Sequence, residues 1–249
     1  KYGQAELVEA ETSFTAYQEF QSMLTRDRID IFMVGEFDDY QVLQALHRFP
    51  LEGRQVDLQF SYSQPYVNVV KEKIEPRQSS QSILHLGYQF PCQYGDKHYF
   101  ALIVLNAMFG EFAHSVLFTT LREKEGLAYS ISSQFDIFTG LLEVYAGIKK
   151  SNRNQAMRGI SRELNYIKLG RFSSSLLNQT KKIIRMNALL SEDHALTLLE
   201  QRFNKVIFGD KSLSLENWLD EIEKVTKKDV CRVARQVKLQ SLFFLEGVS

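Results

Sequence analysis

A surplus of charge is missing from this chain. Lys plus Arg and Asp plus Glu both total 30, so the net charge is zero. Nucleic-acid and anionic-membrane binders usually carry a basic excess, and neither partner is expected here. Cysteine is scarce too. Cys92 and Cys231 are far apart and form no Cys-x-x-Cys pattern, so a reduced, cytoplasmic protein with inert thiols is expected. The longest apolar run, Tyr99 to Phe109, is broken by Asn106 and falls short of the roughly 20 residues that span a bilayer. No signal peptide is visible. The chain begins with Lys1 rather than Met, which points to a piece of a longer protein.

Catalytic metal chemistry lacks its residues. The histidines are His47, His85, His98, His114 and His194. None belongs to a His-x-x-Glu-His or His-Glu-x-x-His motif, the contiguous spacings that place two imidazoles and a glutamate on one helix face. Glu111 with His114, and Glu192-Asp193-His194, read as solvated charges at helix ends. Ser132 and Ser133 have no recognisable base. Gly126 follows a helix rather than opening one, the reverse of a phosphate-binding loop.

The composition itself is that of a folded domain, with 44% hydrophobic and 24% charged residues over 249 positions. Glu11 to Leu24 has helical spacing. Ile29 to Val34 reads as a buried strand closed by Gly35, and Asp38 or Asp39 as the cap of a helix ending before Pro50. Leu51 to Pro65 is polar and reads as a linker. Strands are expected at Val67 to Ile74 and Ser82 to Tyr88. The second of these could present an edge to an extended peptide. Asp96 is expected to cap a helix running through Met108, and a second helix covers Ser115 to Lys124. Beyond Ser151 the pattern is helical. Its apolar stripes are Ala156, Ile160, Leu164 and Ile167, then Leu176, Ile183 and Ile184, then Leu199, Phe203, Val206 and Ile207. Thr226 to Asp229 has capping-box spacing before a helix carrying Val230, Val233, Ala234 and Val237. Leu242 to Leu245 closes the chain as a strand. Strands, then helices, then a returning strand imply an α+β fold with an antiparallel-rich sheet and helices packed on one face.

The richest stretch is Leu121-Arg-Glu-Lys-Glu-Gly-Leu-Ala-Tyr-Ser130. A charged helix end meets Gly126, placed as its C-terminal cap, and passes directly into an alternating hairpin. Alternation puts Leu127, Tyr129, Ile131, Ser133 and Phe135 on one face, and Leu142, Val144, Ala146 and Ile148 on one face of the return strand. Arg122 and Tyr129 flank the turn. Both side chains suit a carbonyl or carboxylate partner. The residues by themselves leave two alternatives open. Arg122 could be a surface arginine paired with Glu123 or Glu125, and Tyr129 could be core.

Gly110, with Ser115-Val-Leu-Phe-Thr-Thr-Leu-Arg-Glu-Lys-Glu-Gly-Leu-Ala-Tyr129 and the later Val-Tyr-Ala-Gly147, resembles the second-domain motif of the M16 zinc peptidases, the insulinase, pitrilysin and mitochondrial processing peptidase family. The resemblance implies an M16 C-terminal, non-metal domain over residues 67–249, a linker at 51–66, and the tail of an upstream M16-like domain at 1–50. It implies that Arg122 and Tyr129 bind substrate by reaching across a clamshell. No catalytic residue and no metal ligand are expected in this chain, and zinc is expected only in an upstream half if the parent protein is active. The implied partners are that upstream half, a peptide substrate, and a homo- or hetero-dimer mate of the same family. Alone, the chain is expected to hydrolyse nothing. A noncatalytic homologue, acting as scaffold or partner of an active peptidase, is the alternative, and a purely structural domain without peptide contact is a third.

Overall fold

The computed structural model describes residues 5–49 and 68–248. The expected linker and Val67 lie outside these residues. The described chain divides into two compact units, one holding the N-terminal residues with Ala195–Phe203, the other holding the rest.

The first unit carries α1 (Ala5–Ala10), α2 (Ser13–Arg26) and α3 (Asp39–Leu46). Thr12 opens α2 through a capping box, in which its hydroxyl accepts from the Thr15 amide and the Thr15 hydroxyl accepts from the Thr12 amide. Asp38 caps α3 by accepting from the Tyr40 and Gln41 amides at 2.8 and 3.0 Å. Neither α2 nor α3 buries a residue. Ile29 to Val34 forms no strand, and Ile31 and Met33 are 49% and 50% exposed. This corrects the expected buried strand. Its branched residues favour the conformation, but backbone amides need a neighbouring ladder to become a sheet, and none pairs with them among the described residues.

The second unit is built on a five-stranded sheet. Its strands are β1 (Lys71–Gln78), β2 (Ser82–Gln89), β3 (Ala128–Asp136), β4 (Leu141–Ile148) and β5 (Lys238–Val248), in the order β1-β5-β2-β4-β3. Only the β1–β5 pair is parallel. The strand at Ser82 is therefore central, between β5 and β4, and cannot offer an edge to a peptide. The edges are β1 and β3. β1 begins four residues later than its apolar start suggested. It is exposed along its whole length, and its charged residues and Pro76 suit an edge that must not pair with other chains.

Helices cover one face of this sheet. They are α4 (Tyr99–Asn106), α5 (Arg153–Lys168), α6 (Ser174–Ser191), α8 (Leu215–Lys224) and α9 (Lys227–Gln236); of α7 (Ala195–Phe208), Ala195–Phe203 belong to the first unit and the rest to the second. Leu84, Leu86, Val144 and Phe244 meet Leu102, Leu105, Ile160, Val230 and Val233 in one core. The stripes of α5 and α9 are buried as their spacing predicts. In α6 the buried face is Leu177, Thr180, Lys181 and Ile184, one position off the expected stripe, and α7 buries none of its residues. Asp96 does not cap α4. Its carboxylate accepts from the Gln93 amide at 2.8 Å and closes the preceding turn, while His98 occupies the cap position without a side-chain bond.

Cations close two helix ends. Lys181 donates to the Glu223 carbonyl of α8 and Lys168 to the Val237 carbonyl that caps α9, which suits the negative end of the helix dipole, while Lys227 ties down the Phe172 carbonyl in the loop between α5 and α6. Thr226 and Asp229 form the predicted capping box of α9. Thr226→Ala is expected to lower the stability of the chain by about 1 kcal/mol, read as a drop in denaturant midpoint at constant slope. An unchanged midpoint would count against that cap.

Candidate functional site

The helices before β3 do not stay α-helical. After α4 the backbone widens into a π turn at Ala107–Glu111, and the helix beginning at Val116 widens again at Phe118–Lys124. Such widening is uncommon and recurs at functional sites. The first π turn lies hard against β3. A Cβ on Gly110 would stand 2.7 Å from the Ser133 hydroxyl oxygen and 2.8 Å from the Ser133 amide nitrogen. The buried Ser133 hydroxyl donates to Asn106 Oδ1 at 2.7 Å, and Asn106 donates to Glu111 at 2.9 Å. Desolvation raises the Glu111 carboxyl above its ordinary pKa, and the Asn106 hydrogen bond partly offsets this. Ser133 is thus committed to a structural network, and Ser132 is exposed.

The second π turn ends the helix beneath Arg122. The Glu125 amide reaches back to the Thr120 carbonyl at 2.9 Å and the Leu127 amide to Leu121 at 2.8 Å. Gly126 follows the cap residue, Glu125, with φ +60°. Nothing lies within 4 Å of where its Cβ would be, so the requirement is for left-handed backbone rather than for space.

The decisive feature is the next residue but two. Ala128 pairs with Ile148 and Ser130 with Gly147, which makes Tyr129 an extra residue in the ladder. A bulge of this kind breaks the two-residue alternation and re-aims a side chain. Ala128 and Ile131 both point into the core at 6% exposure, while Tyr129 is 54% exposed. The expected placement of Tyr129 beside Ile131 is therefore corrected. Gly147 makes room opposite, since a Cβ there would lie 2.7 Å from the Ser130 hydroxyl and from the Gln81 amide group.

Arg122 is exposed at the other end of the same turn. Its guanidinium lies 4.5 Å from the centre of the Phe118 ring, a stacking that limits its rotamers. It does not pair with Glu123 or Glu125. Glu125 is bound by Arg162 at 2.6 Å, and no ion pair holds Arg122 among the described residues. The turn thus presents a phenol and an un-neutralised guanidinium to solvent, although no direct bond joins them. Sequence reasoning missed Phe118, whose position one helical turn before Arg122 was its signal, and the diversion of Glu125 to α5, which had none.

The other polar groups are occupied elsewhere. The His114 ring nitrogen Nε2 lies 2.9 Å from the buried Thr180 hydroxyl, and its ring stacks on Phe112. Burial lowers the His114 pKa below its ordinary 6.5. Its contribution to stability is therefore complete above that value and is lost as pH falls through the lowered folded-state pKa. His114→Gln is expected to flatten the decline in unfolding free energy between about pH 7.5 and about pH 5.5. Parallel curves for the two proteins would exclude this. Cys92 and Cys231 are free and buried, and burial, with Asp96 nearby, pushes the Cys92 thiol up to about 12. No cluster of three or more His, Cys, Asp or Glu among the described residues could hold a metal ion. Among the described residues there is thus no ligand set that fits the zinc of a metallopeptidase. No helix among the described residues is long and apolar enough to cross a membrane.

Comparison with known proteins identifies the family. The family model described as "Peptidase M16 inactive domain" matches residues 17–184. The chain is 33% identical to the Bacillus subtilis protein named "Probable inactive metalloprotease YmfF", over 98% of this chain and 58% of that one. It is 25% identical to the same organism's "Uncharacterized zinc protease YmxG", over 86% of this chain and 52% of that one. The chain thus spans little more than half of these relatives. A conserved protein from Enterococcus faecalis superposes with a TM-score of 0.91 and 37% identity, covering 99% of this chain and 58% of the other. The peptidase M16 inactive domain from Pseudomonas fluorescens shares the fold at a TM-score of 0.67 and 19% identity, covering 85% of this chain and 51% of that structure. With its own motif, its α+β sheet and this match, the chain belongs to the peptidase M16 inactive-domain family.

Proposed function

We propose that this chain is the substrate-clamping, non-metal half of an M16-type zinc metallopeptidase or peptidase-like protein. It holds a peptide backbone across a clamshell from a zinc half that lies outside it. The bulge that turns Tyr129 out of the core carries this reading. A structural tyrosine gains by burial, whereas this one is 54% exposed, at a turn shared with an arginine that no carboxylate pairs among the described residues. The guanidinium offers charge-assisted hydrogen bonds to a peptide carbonyl or terminal carboxylate. The phenol donates to a carbonyl, or to the oxyanion that forms when one is attacked. β3, which carries Tyr129, is an edge strand, so an extended peptide laid along it would meet main-chain donors and acceptors. In this reading residues 1–50 end an upstream domain, 51–66 link, and 67–249 clamp.

The upstream half is the first partner. The exposed apolar residues of the first unit, among them Phe14, Phe20, Ile31, Met33 and Phe37, support a docking surface for it. Titration of this chain with the separately expressed upstream half is expected to give a saturable complex. No association at high micromolar concentration, with both halves folded, would count against the clamshell. The likeness to the Bacillus protein named "Probable inactive metalloprotease YmfF" favours a second reading, in which the assembled protein binds peptide without cleaving it. Zinc analysis of the assembled protein and a peptide-cleavage assay separate the two.

A further inference from the structure

A second polar site lies away from this turn. The C-terminal half of α5 turns Ser161, Asn165 and Lys168 toward the start of β5, where Lys238 and Gln240 stand opposite. The ladder slips here, because Gly87 pairs with Ser241 but Tyr88 with Leu239. Between α5 and this irregularity is a cavity of about 360 Å³, also lined by Tyr88.

Three observations ask what fills it. Tyr88 is 3% exposed, and its hydroxyl is buried without a hydrogen-bond partner among the described residues. Buried polar groups are nearly always satisfied, so an orphaned one needs a partner from water or ligand. The half-buried Lys168 ammonium spends one donor on the Val237 carbonyl at 3.1 Å and meets no carboxylate among the described residues. Desolvation without a counter-charge lowers its pKa. The described lining residues include two lysines and no acid. A cationic ligand is disfavoured by the lysines and an apolar one by the polar lining. The volume sits at the small end of ligand pockets, roughly 300–1,000 Å³.

We propose that this cavity binds a small oxyanion, a carboxylate or a phosphate, with Lys168 supplying charge and the Tyr88 hydroxyl a hydrogen bond. Asn165 and Ser161 provide further donors at its mouth. The site is independent of the peptide clamp and would tie α5 to β5 when filled.

Calorimetric titration of the full chain with inorganic phosphate, with acetate and with succinate, against sodium chloride at equal ionic strength, tests this. Saturable binding of at least one oxyanion, absent for chloride, is expected, and which of them binds identifies a phosphate or a carboxylate site. Lys168→Met is expected to weaken it by about tenfold or more. Tyr88→Phe should weaken it as well, yet leave the ligand-free melting temperature unchanged or higher, because the hydroxyl it removes holds no bond. Tyr88→Phe therefore decides the matter even if Lys168→Met fails to fold. No saturable binding of any oxyanion, or equal binding in wild type and Tyr88→Phe, overturns the proposal.

Discussion

If the full-length protein cleaves peptides as proposed, Tyr129→Phe is expected to reduce its turnover by about 10²–10³, the roughly 2.7–4 kcal/mol lost with one preorganised donor to a developing oxyanion, and Arg122→Ala is expected to reduce it too. The tyrosine change removes a single hydroxyl from a side chain that is 54% exposed. It should leave the melting temperature where it was, so a loss of rate cannot be assigned to unfolding. Arg122→Ala also removes a charged contact and should raise KM. Arg122→Lys is a useful companion, because it keeps the charge but loses the planar fork and the stack on Phe118. If the protein binds without cleaving, the same substitutions should appear as weaker peptide affinity. Full activity and full affinity in both Tyr129→Phe and Arg122→Ala, at saturating and subsaturating peptide, would leave the pair structural.

Gly110→Ala should produce a large loss of stability from a single methyl group. The new Cβ would meet the Ser133 hydroxyl at 2.7 Å, its amide nitrogen at 2.8 Å and its Cβ at 2.9 Å. A hydroxyl could rotate away, but a backbone nitrogen in a paired strand cannot. Either the π turn or β3 must shift, and overpacking of this kind costs about 1–3 kcal/mol, occasionally more. Chemical denaturation would read it as a lower midpoint. Ser133→Ala on top of Gly110→Ala relieves only the hydroxyl contact, so the double variant should recover part of the loss at most. A Gly110→Ala protein with the wild-type midpoint would show that β3 and the π turn are not in the contact described. Because β3 also carries the bulge, a shift there should reach Tyr129, and peptide binding should weaken along with stability.

Much of the second unit was legible in the sequence because its signals are local. The Thr226 capping box, the stripes of α5 and α9 and the inward face of β4 each follow from residues within a turn or two of one another. Gly126 could be placed after the helix because left-handed backbone is nearly a glycine property. The failures share a cause. Ser82 to Tyr88 has the pattern of any half-buried strand, and its central place depends on β5, which arrives about 160 residues later. Ile29 to Val34 has strand residues but no described neighbour to pair with.

The sequence by itself determined the family through the stretch from Gly110 to Gly147, the lack of a zinc-binding motif, and the presence of Arg122 and Tyr129 at one turn. Where Tyr129 points was decided only by the tertiary structure. Strict alternation from Leu127 to Ile137 would bury it, and no local rule announces the bulge. The register of β3 against β4 inserts one residue between Ala128 and Ser130, Gly147 leaves space for the Ser130 hydroxyl, and the phenol of Tyr129 turns outward. Arg122 followed the same logic. Its neighbouring glutamates looked like partners in the sequence, but Arg162 on α5 took Glu125, because competition between charges is settled by distance in space rather than along the chain.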